Sequence, residues 1–347
     1  MARSGDGATT TPAVARTRLW VDGQLKAENF PLADVSEHLH EPGALLWADL
    51  CNPDRAELDQ LADELGFDRH AVEEVVEHDV RAKATRYADH TVVTVYATAL
   101  GPQISGSIES RLLESKVSIF VLPTAVVTVR GETDTAKPVF DIDEVVRRWD
   151  DNSDLLRKGS PALLHGILDV VVDGHFDTIQ QLDDAIESLE DDLFDDKSQT
   201  RQLQRDTYRL RKELVQLRRV VLPMREVVNT IMRRSVEGTD TGELTNWYYD
   251  LYDHVIRASE WTDSLRDMVT TVFETNLSLQ DARLNTIMKK LTGWAAIIAV
   301  PTLVTGWYGQ NIPYPGFDEP IGVATSALLS VLASVALYIG FKRRNWI

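Results

Sequence analysis

Two groups of residues in this 347-residue chain place oxygen atoms where a cation could use them. The first is Tyr308-Gly309-Gln310-Asn311, which follows one long uncharged run and precedes another. Asn311 offers a side-chain amide oxygen, and Gly309 lets its backbone carbonyl be approached with no side chain in the way. The second is the carboxylate pair Asp318-Glu319, in the stretch between the two runs. Such acceptors suit the water shell of a hard cation, held by hydrogen bonds, rather than bond-making chemistry. A plainer reading of Asn311 is a helix-ending residue, since Asn is common at such stops. Nothing points to an enzyme. The sequence has no Gly-rich phosphate loop, no nucleophile elbow and no Cys or His pair at zinc spacing. His38 and His40 read as surface residues of a loop.

The elements that must position these oxygens are the uncharged runs. Leu291–Tyr308 has eighteen residues without a charge and Ile321–Phe341 has twenty-one. Each is long enough to cross a hydrocarbon layer of roughly 30 Å. Pro301 is tolerable inside the first, because packed neighbours can satisfy the freed backbone groups. The competing reading is a helical hairpin buried in a soluble core. Lys289 and Lys290 precede the first run, Lys342-Arg343-Arg344 follow the second, and the connecting loop has no Lys or Arg. The positive-inside rule then puts both termini in the cytoplasm and the 309–320 loop outside, in a multi-pass protein of the cell (inner) membrane. Two membrane helices cannot enclose a water-filled path, so conduction requires an oligomer. Gly293, Ala295, Ala296, Ala299 and Gly306 permit close helix approach.

Upstream, the chain is acidic, with 36 Lys and Arg against 54 Asp and Glu and a net charge of −18. That excludes a general nucleic-acid binder, since duplex affinity rests on neutralising phosphate, and it is compatible with attracting cations. The single cysteine, Cys51, cannot form an intrachain disulfide and reads as a packing residue. Residues 1–16 are small and polar, without the apolar core of a secretory signal, and are expected to be mobile. Residues 17–140 read as a cytoplasmic α/β domain. Strands are expected over 44–50, 91–96, 116–122 and 125–130, with a helix over 57–65 that stops at Gly66. Residues 141–242 read as helices. The segment 161–196 has ten Asp and Glu and no Lys or Arg from Asp173 to Asp196, whereas Thr200–Arg234 has ten Lys and Arg against three acids. A short turn would set these two helices antiparallel with opposite charges facing. The acidic stripe could also concentrate cations near a pore mouth. Residues 243–290 read as a stalk helix that continues into the membrane span 291–308. If unbroken to Tyr308 it is roughly 100 Å long, more than a globular domain needs.

Gly309-Gln310-Asn311, in this setting, resembles the Gly-Met-Asn signature of the CorA family of divalent-cation channels. The likeness extends to Asp250–His254, Arg283–Thr292 and Leu217–Glu226, and more faintly to Trp47–Leu50 and His70–Glu73, covering about 45–347. The resemblance implies a funnel-shaped homopentamer whose first membrane helix lines the pore, carrying Mg2+ or Co2+ and needing no cofactor. Mg2+ gives up its water reluctantly, so a filter of Gly309, Gln310 and Asn311 would select the hydrated ion, with Asp318 and Glu319 raising cation concentration at the entrance. On the family's pattern the face Asn285, Met288, Leu291, Ala295, Ala299 and Thr302 lines the pore. Met288 and Leu291 would form an apolar constriction, and Asn285 and Thr302 would supply oxygen rings. Its apolar members could equally be helix packing.

The family is closed by intracellular Mg2+ bound between protomers, and Asp250 falls where the stalk supplies a carboxylate to that regulatory metal site. Asp253 lies one turn on. The opposing acid should stand at the end of a strand, but the matching place, Tyr96–Gln103, has no carboxylate. Glu109 is one substitute. Asp250 could equally be an ordinary exposed helix carboxylate. Gln310 departs from the usual Met, which leaves a zinc transporter of the related ZntB branch as an alternative. A non-conducting membrane-anchored scaffold is the alternative of another class. The partners expected are four further copies of the chain, membrane lipid and divalent cations, with no nucleic acid.

Overall fold

The computed structural model describes residues 14–39, 41–77, 80–102, 108–131, 138–194, 200–235, 242–310, 313–317 and 319–347. Contacts divide the chain into two units, Met1–Thr270 and Thr271–Ile347.

The first unit is built on a seven-stranded sheet. Its strands are β1 (Val14–Val21), β2 (Gln24–Glu28), β3 (Ala44–Cys51), β4 (Lys83–Arg86), β5 (Thr91–Leu100), β6 (Leu112–Val121) and β7 (Ala125–Arg130). They lie in the order β2-β1-β3-β7-β6-β5-β4. Only β3 and β7 run parallel. All eight residues of β3 are buried, as expected of a central strand covered on both faces. β1 begins at Val14, so the sheet takes in residues 14–16 that the sequence reading placed in the mobile terminus; residues 1–13 lie outside the described residues. The edge strands β2 and β4, with Lys26, Glu28, Lys83 and Arg86, are largely exposed. Charge of this kind protects a sheet edge from further pairing.

Short helices cover one face: α1 (Val35–His38), α2 (Arg55–Leu65) and α3 (Arg69–Val76). Asp54 and Glu57 form a reciprocal cap, with Glu57 N–H donating to Asp54 Oδ1 and Asp54 N–H to Glu57 Oε2, each at 2.8 Å. Gly66 ends α2 at φ 71°, a left-handed conformation that favours glycine. Leu58, Leu61 and Val72 pack with Leu46, Val92, Phe120 and Val127 of the sheet. At the end of α3, Lys116 Nζ donates to the carbonyls of Glu74 and Val75, both at 3.0 Å, a cation placed at the negative pole of the helix.

The long helices cover the other face: α4 (Ile142–Asp151), the single turn α5 (Ser153–Leu156), α6 (Ser160–Phe194), α7 (Thr200–Ser235) and α8 (Gly242–Tyr308). Trp149 of α4 packs edge-on against Trp20 and Trp47, with centroids at 5.8 and 5.1 Å. A Cβ on Gly166 would lie 2.5 Å from Trp149 Nε1, so α6 approaches this ring only through a glycine. The first part of α8 buries Leu244, Tyr248, Leu251, Val255, Ala258, Thr262, Leu265 and Val269. Steps alternating between four and three are the seam of a coiled coil. α6 and α7 pack together, and their buried faces are mainly apolar, including Leu182 and Ile186 on one and Leu210 and Leu214 on the other, with Arg209 and Glu213 also buried on α7. Charge also links α6 and α7 to other helices. Arg148 of α4 pairs with Asp169 and with Asp173 (2.6 Å) on α6, and Arg218 of α7 pairs with Asp263 of α8 at 2.7 Å.

The second unit holds the remainder of α8 and α9 (Pro320–Arg343). Gly293 is the buried point of this part of the membrane run. A Cβ there would lie 3.1 Å from the Ile347 side chain and 3.8 Å from Phe341. The C-terminal turn doubles back, with Trp346 stacked on Phe341 at 5.5 Å. In the connecting loop Gly316 has φ 87°. A Cβ on Gly322 would fall 2.4 Å from its carbonyl oxygen, so two glycines bring the loop onto the start of α9. α8 and α9 each contain a window long and apolar enough to cross a membrane, and only 6 % of that window is buried in either. A helix of a soluble core would be mostly covered, so the buried-hairpin reading is set aside.

Candidate ion pathway

Asn285, Met288, Leu291, Ala295, Ala299 and Thr302 all lie on α8, and all are exposed. At about 100° per residue they fall within roughly a third of the helix circumference, and at 1.5 Å per residue they span about 25 Å of its axis. The sequence spacing therefore corresponds to a real stripe, uncovered by any described part of the chain. Met288 and Leu291 are 58 % and 62 % exposed, so whatever shields these apolar side chains lies outside the single chain. Thr302 Oγ1 donates to the Ile298 carbonyl at 3.3 Å, which leaves its lone pairs free to accept from a water.

Towards its C-terminal end the stripe deepens into a groove of about 710 Å3, lined by Ala299, Thr302, Leu303, Gly306, Trp307 and Gln310 among others. Gln310 and Thr302 thus share one concavity. Leu303 and Gly306 continue the same stripe at three- and four-residue steps. The sequence reading had Gly306 only as a packing residue, and Leu303, now 75 % exposed, not at all.

The helix ends at the motif. Gly309 N–H donates to Thr305 O at 2.8 Å, and Gln310 N–H to Trp307 O at 3.3 Å. A Cβ on residue 309 would lie 3.0 Å from the Thr305 carbonyl, so glycine here keeps that carbonyl unobstructed. Tyr308 packs edge-on against Tyr314 with centroids at 4.8 Å, and Tyr314 against Phe317 at 5.3 Å. These rings tie the helix end to the loop. Glu319 caps the start of α9 by position without a side-chain hydrogen bond. Asn311 and Asp318 lie outside the described residues.

Asp250 and Asp253 lie on α8 in the first unit and are 72 % and 66 % exposed. Asp250 Oδ2 is 3.9 Å from His254 Nε2, and Asp253 Oδ2 is 3.2 Å from Arg257 Nε. Among the described residues no group of three or more His, Cys, Asp or Glu could hold a metal ion. Among the described residues the two aspartates are not brought into such a group. The end of β5 opens instead on a cleft of about 980 Å3 that also holds Asp173, Asp177, His254 and Arg257. Its carboxylates come from α6 and from the start of α4, where Asp141 and Glu144 also line it, sources the strand-based search missed; Glu109 does not line it. Nearby, His175 Nε2 donates to Tyr96 O at 2.8 Å, and full burial pushes its imidazole down to about 4. Burial likewise lowers His165, against the pull of Asp169 and Asp250.

The model of the CorA-like Mg2+ transporter protein family matches residues 42–343. The chain belongs to that family. Membership makes it a divalent-cation transporter of the membrane and not an enzyme. The CorA cobalt/magnesium transport protein of Methanocaldococcus jannaschii is 25 % identical over 315 residues, covering 90 % of this chain and 95 % of that one. Its counterpart in Thermotoga maritima is 30 % identical over 197 residues, but the match spans only 55 % of this chain and 54 % of that protein. Among solved structures, the complete M. jannaschii CorA magnesium transporter superposes with a TM-score of 0.71 at 21 % identity, covering 97 % of this chain and 99 % of that one. At that identity the superposition speaks for the CorA fold, with its α/β domain, long helices and two apolar helices.

Proposed function

We propose that this CorA-family chain forms a homopentameric, funnel-shaped channel that passes hydrated Mg2+, and Co2+ with it, into the cytoplasm. The observation that carries the reading is the exposed stripe from Asn285 to Thr302. It offers apolar and oxygen-bearing side chains over about 25 Å, running from the last turns of the stalk at Asn285 and Met288 into the first uncharged run, and no described part of the chain covers it. Copies meeting along it would hide Met288 and Leu291 at a narrow apolar ring and turn Asn285 and Thr302 towards water. Five Asn311 amides at the outer mouth, with the Gly309 carbonyls, would accept hydrogen bonds from the ion's water shell. Asp318 and Glu319 would raise the local cation concentration. Lys289, Lys290 and Lys342–Arg344 keep the other end cytoplasmic. A divalent ion entering at 100 mV inside-negative gains roughly 4.6 kcal/mol, so no ATP site is needed.

Intracellular Mg2+ would close the channel by binding Asp250 and Asp253 of one copy against oxygen groups of its neighbour. Two exposed carboxylates one turn apart, with no metal-binding group of three among the described residues, support a site completed by another copy. Zinc remains the alternative cargo because Gln310 stands where the family has Met.

The test is ion uptake into proteoliposomes. Mg2+ influx that Asn311→Ala abolishes supports the reading. Zn2+ uptake that depends on a pH gradient, without Mg2+ uptake, supports the zinc branch. Absence of flux for any divalent ion supports a membrane-anchored scaffold.

A further inference from the structure

A second cavity, of about 730 Å3, lies within the first unit between the lead-in to β4, strand β6 and helices α7 and α8. Four guanidiniums line it, those of Arg81, Arg218, Arg219 and Arg266. This is unusual in a chain of net charge −18, and nothing in ion conduction uses it. The compensation is incomplete. Arg218 and Arg266 share Asp263, at 2.7 and 3.5 Å, and Arg266 also reaches Asp267 at 3.1 Å. Arg81 makes no ion pair among the described residues. Arg219 acts on Glu114, whose carboxyl is held above the usual carboxylate range by burial against the pull of Arg219. Four positive groups against three carboxylates leave an excess charge in one concavity, with Val215 and Leu222 as an apolar wall. Guanidiniums present paired N–H groups at the spacing of phosphate oxygens and shed water more readily than ammonium groups. The volume falls within the roughly 300–1,000 Å3 typical of small-molecule sites.

We propose that this arginine-lined cavity binds a small soluble phosphoryl anion, held chiefly by Arg81 and Arg219 and opposed by Glu114. The site stands independently of the transport reading. It uses no residue of the pore stripe or of the Asp250 region.

The probe is inorganic pyrophosphate, titrated calorimetrically into the full chain in lipid nanodiscs without divalent metal. The wild type is expected to bind one pyrophosphate per chain saturably. R81Q/R219Q should weaken binding at least tenfold, and E114Q should tighten it several-fold by removing the opposing charge. R55Q, an exposed arginine on α2 paired with Asp59, should leave it unchanged. Absence of saturable binding in the wild type would overturn the proposal, as would equal affinity in R81Q/R219Q. Dissociation of the assembly by R81Q/R219Q, seen by light scattering, would also overturn it. The cavity would then be an ion-pair contact between copies.

Discussion

The two units of this chain handle apolar surface in opposite ways. Up to Thr270, most large apolar side chains are covered by the chain itself: Trp20, Trp47, Leu163 and Ile167 are 2 % exposed or less, with Phe194 and Tyr208 among the exceptions. From Thr271 onward the same residue types stand open, with Ile298 at 67 %, Trp307 at 65 % and Val323 at 72 %. The first unit has its solvent supplied by water and its core by its own sheet and helices. The second has neither, and on the proposed function lipid and further copies would cover what it exposes. The contrast separates what one sequence can settle alone from what only an assembly completes.

If the first unit is self-sufficient, damage to its core should cost stability whatever surrounds the second. Trp47→Ala removes a ring packed against Trp149, and is expected to cost about 3–5 kcal/mol in denaturant unfolding of the full chain. Leu303→Ala should leave that transition within about 0.5 kcal/mol and alter only the association of copies. A comparable loss in both would break the distinction between the units.

Acid sharpens it further. Unfolded, the His175 imidazole takes up its proton near pH 6.5; folded, it resists until about 4. Stability is therefore complete above pH 6.5, and is lost as the pH falls through 6.5 towards 4, by about 3 kcal/mol. His165 is shifted in the same direction. Denaturant midpoints measured between pH 7 and 4 should show the loss, and His175→Gln should blunt it. Gly166→Ala sets a methyl against Trp149 and should cost about 1–3 kcal/mol in the same assay. Asp54→Ala, which removes the reciprocal cap of α2, should cost about 1 kcal/mol.

The same contrast explains what the sequence made legible. The central strands β3, β5, β6 and β7 are rich in β-branched and apolar residues, and the 44–50 and 125–130 segments stand out on that ground alone. The edge strands β2 and β4 hide because a protected edge is charged, so they look like loop. Helix α4 falls inside the 141–242 stretch read as helical, but its own bounds did not stand out although Asp141 caps it and Ile142, Val145 and Trp149 are all buried on it; the surrounding acids and arginines obscure that spacing. The Asn285–Thr302 stripe was legible as one face because a helix turns three- and four-residue steps into a line. Its continuation through Leu303 and Gly306 was not, since a groove belongs to surface shape and not to residue type. Asp250 and Asp253 read no further than two acids one turn apart, because no described part of the chain brings a third metal-ligating side chain to them.

The central claim is that the Asn285–Thr302 stripe faces water in the assembled protein while the apolar surface of α9 faces lipid. In a Cys51→Ala background, single cysteines at Ala299, Thr302, Leu328 and Val331 can be challenged with a charged, membrane-impermeant methanethiosulfonate in proteoliposomes. Rapid modification at 299 and 302 that blocks Mg2+ uptake, with none at 328 and 331, is the result expected. Protection at 299 and 302, or equal reactivity at all four positions, would contradict a wet axis lined by this helix.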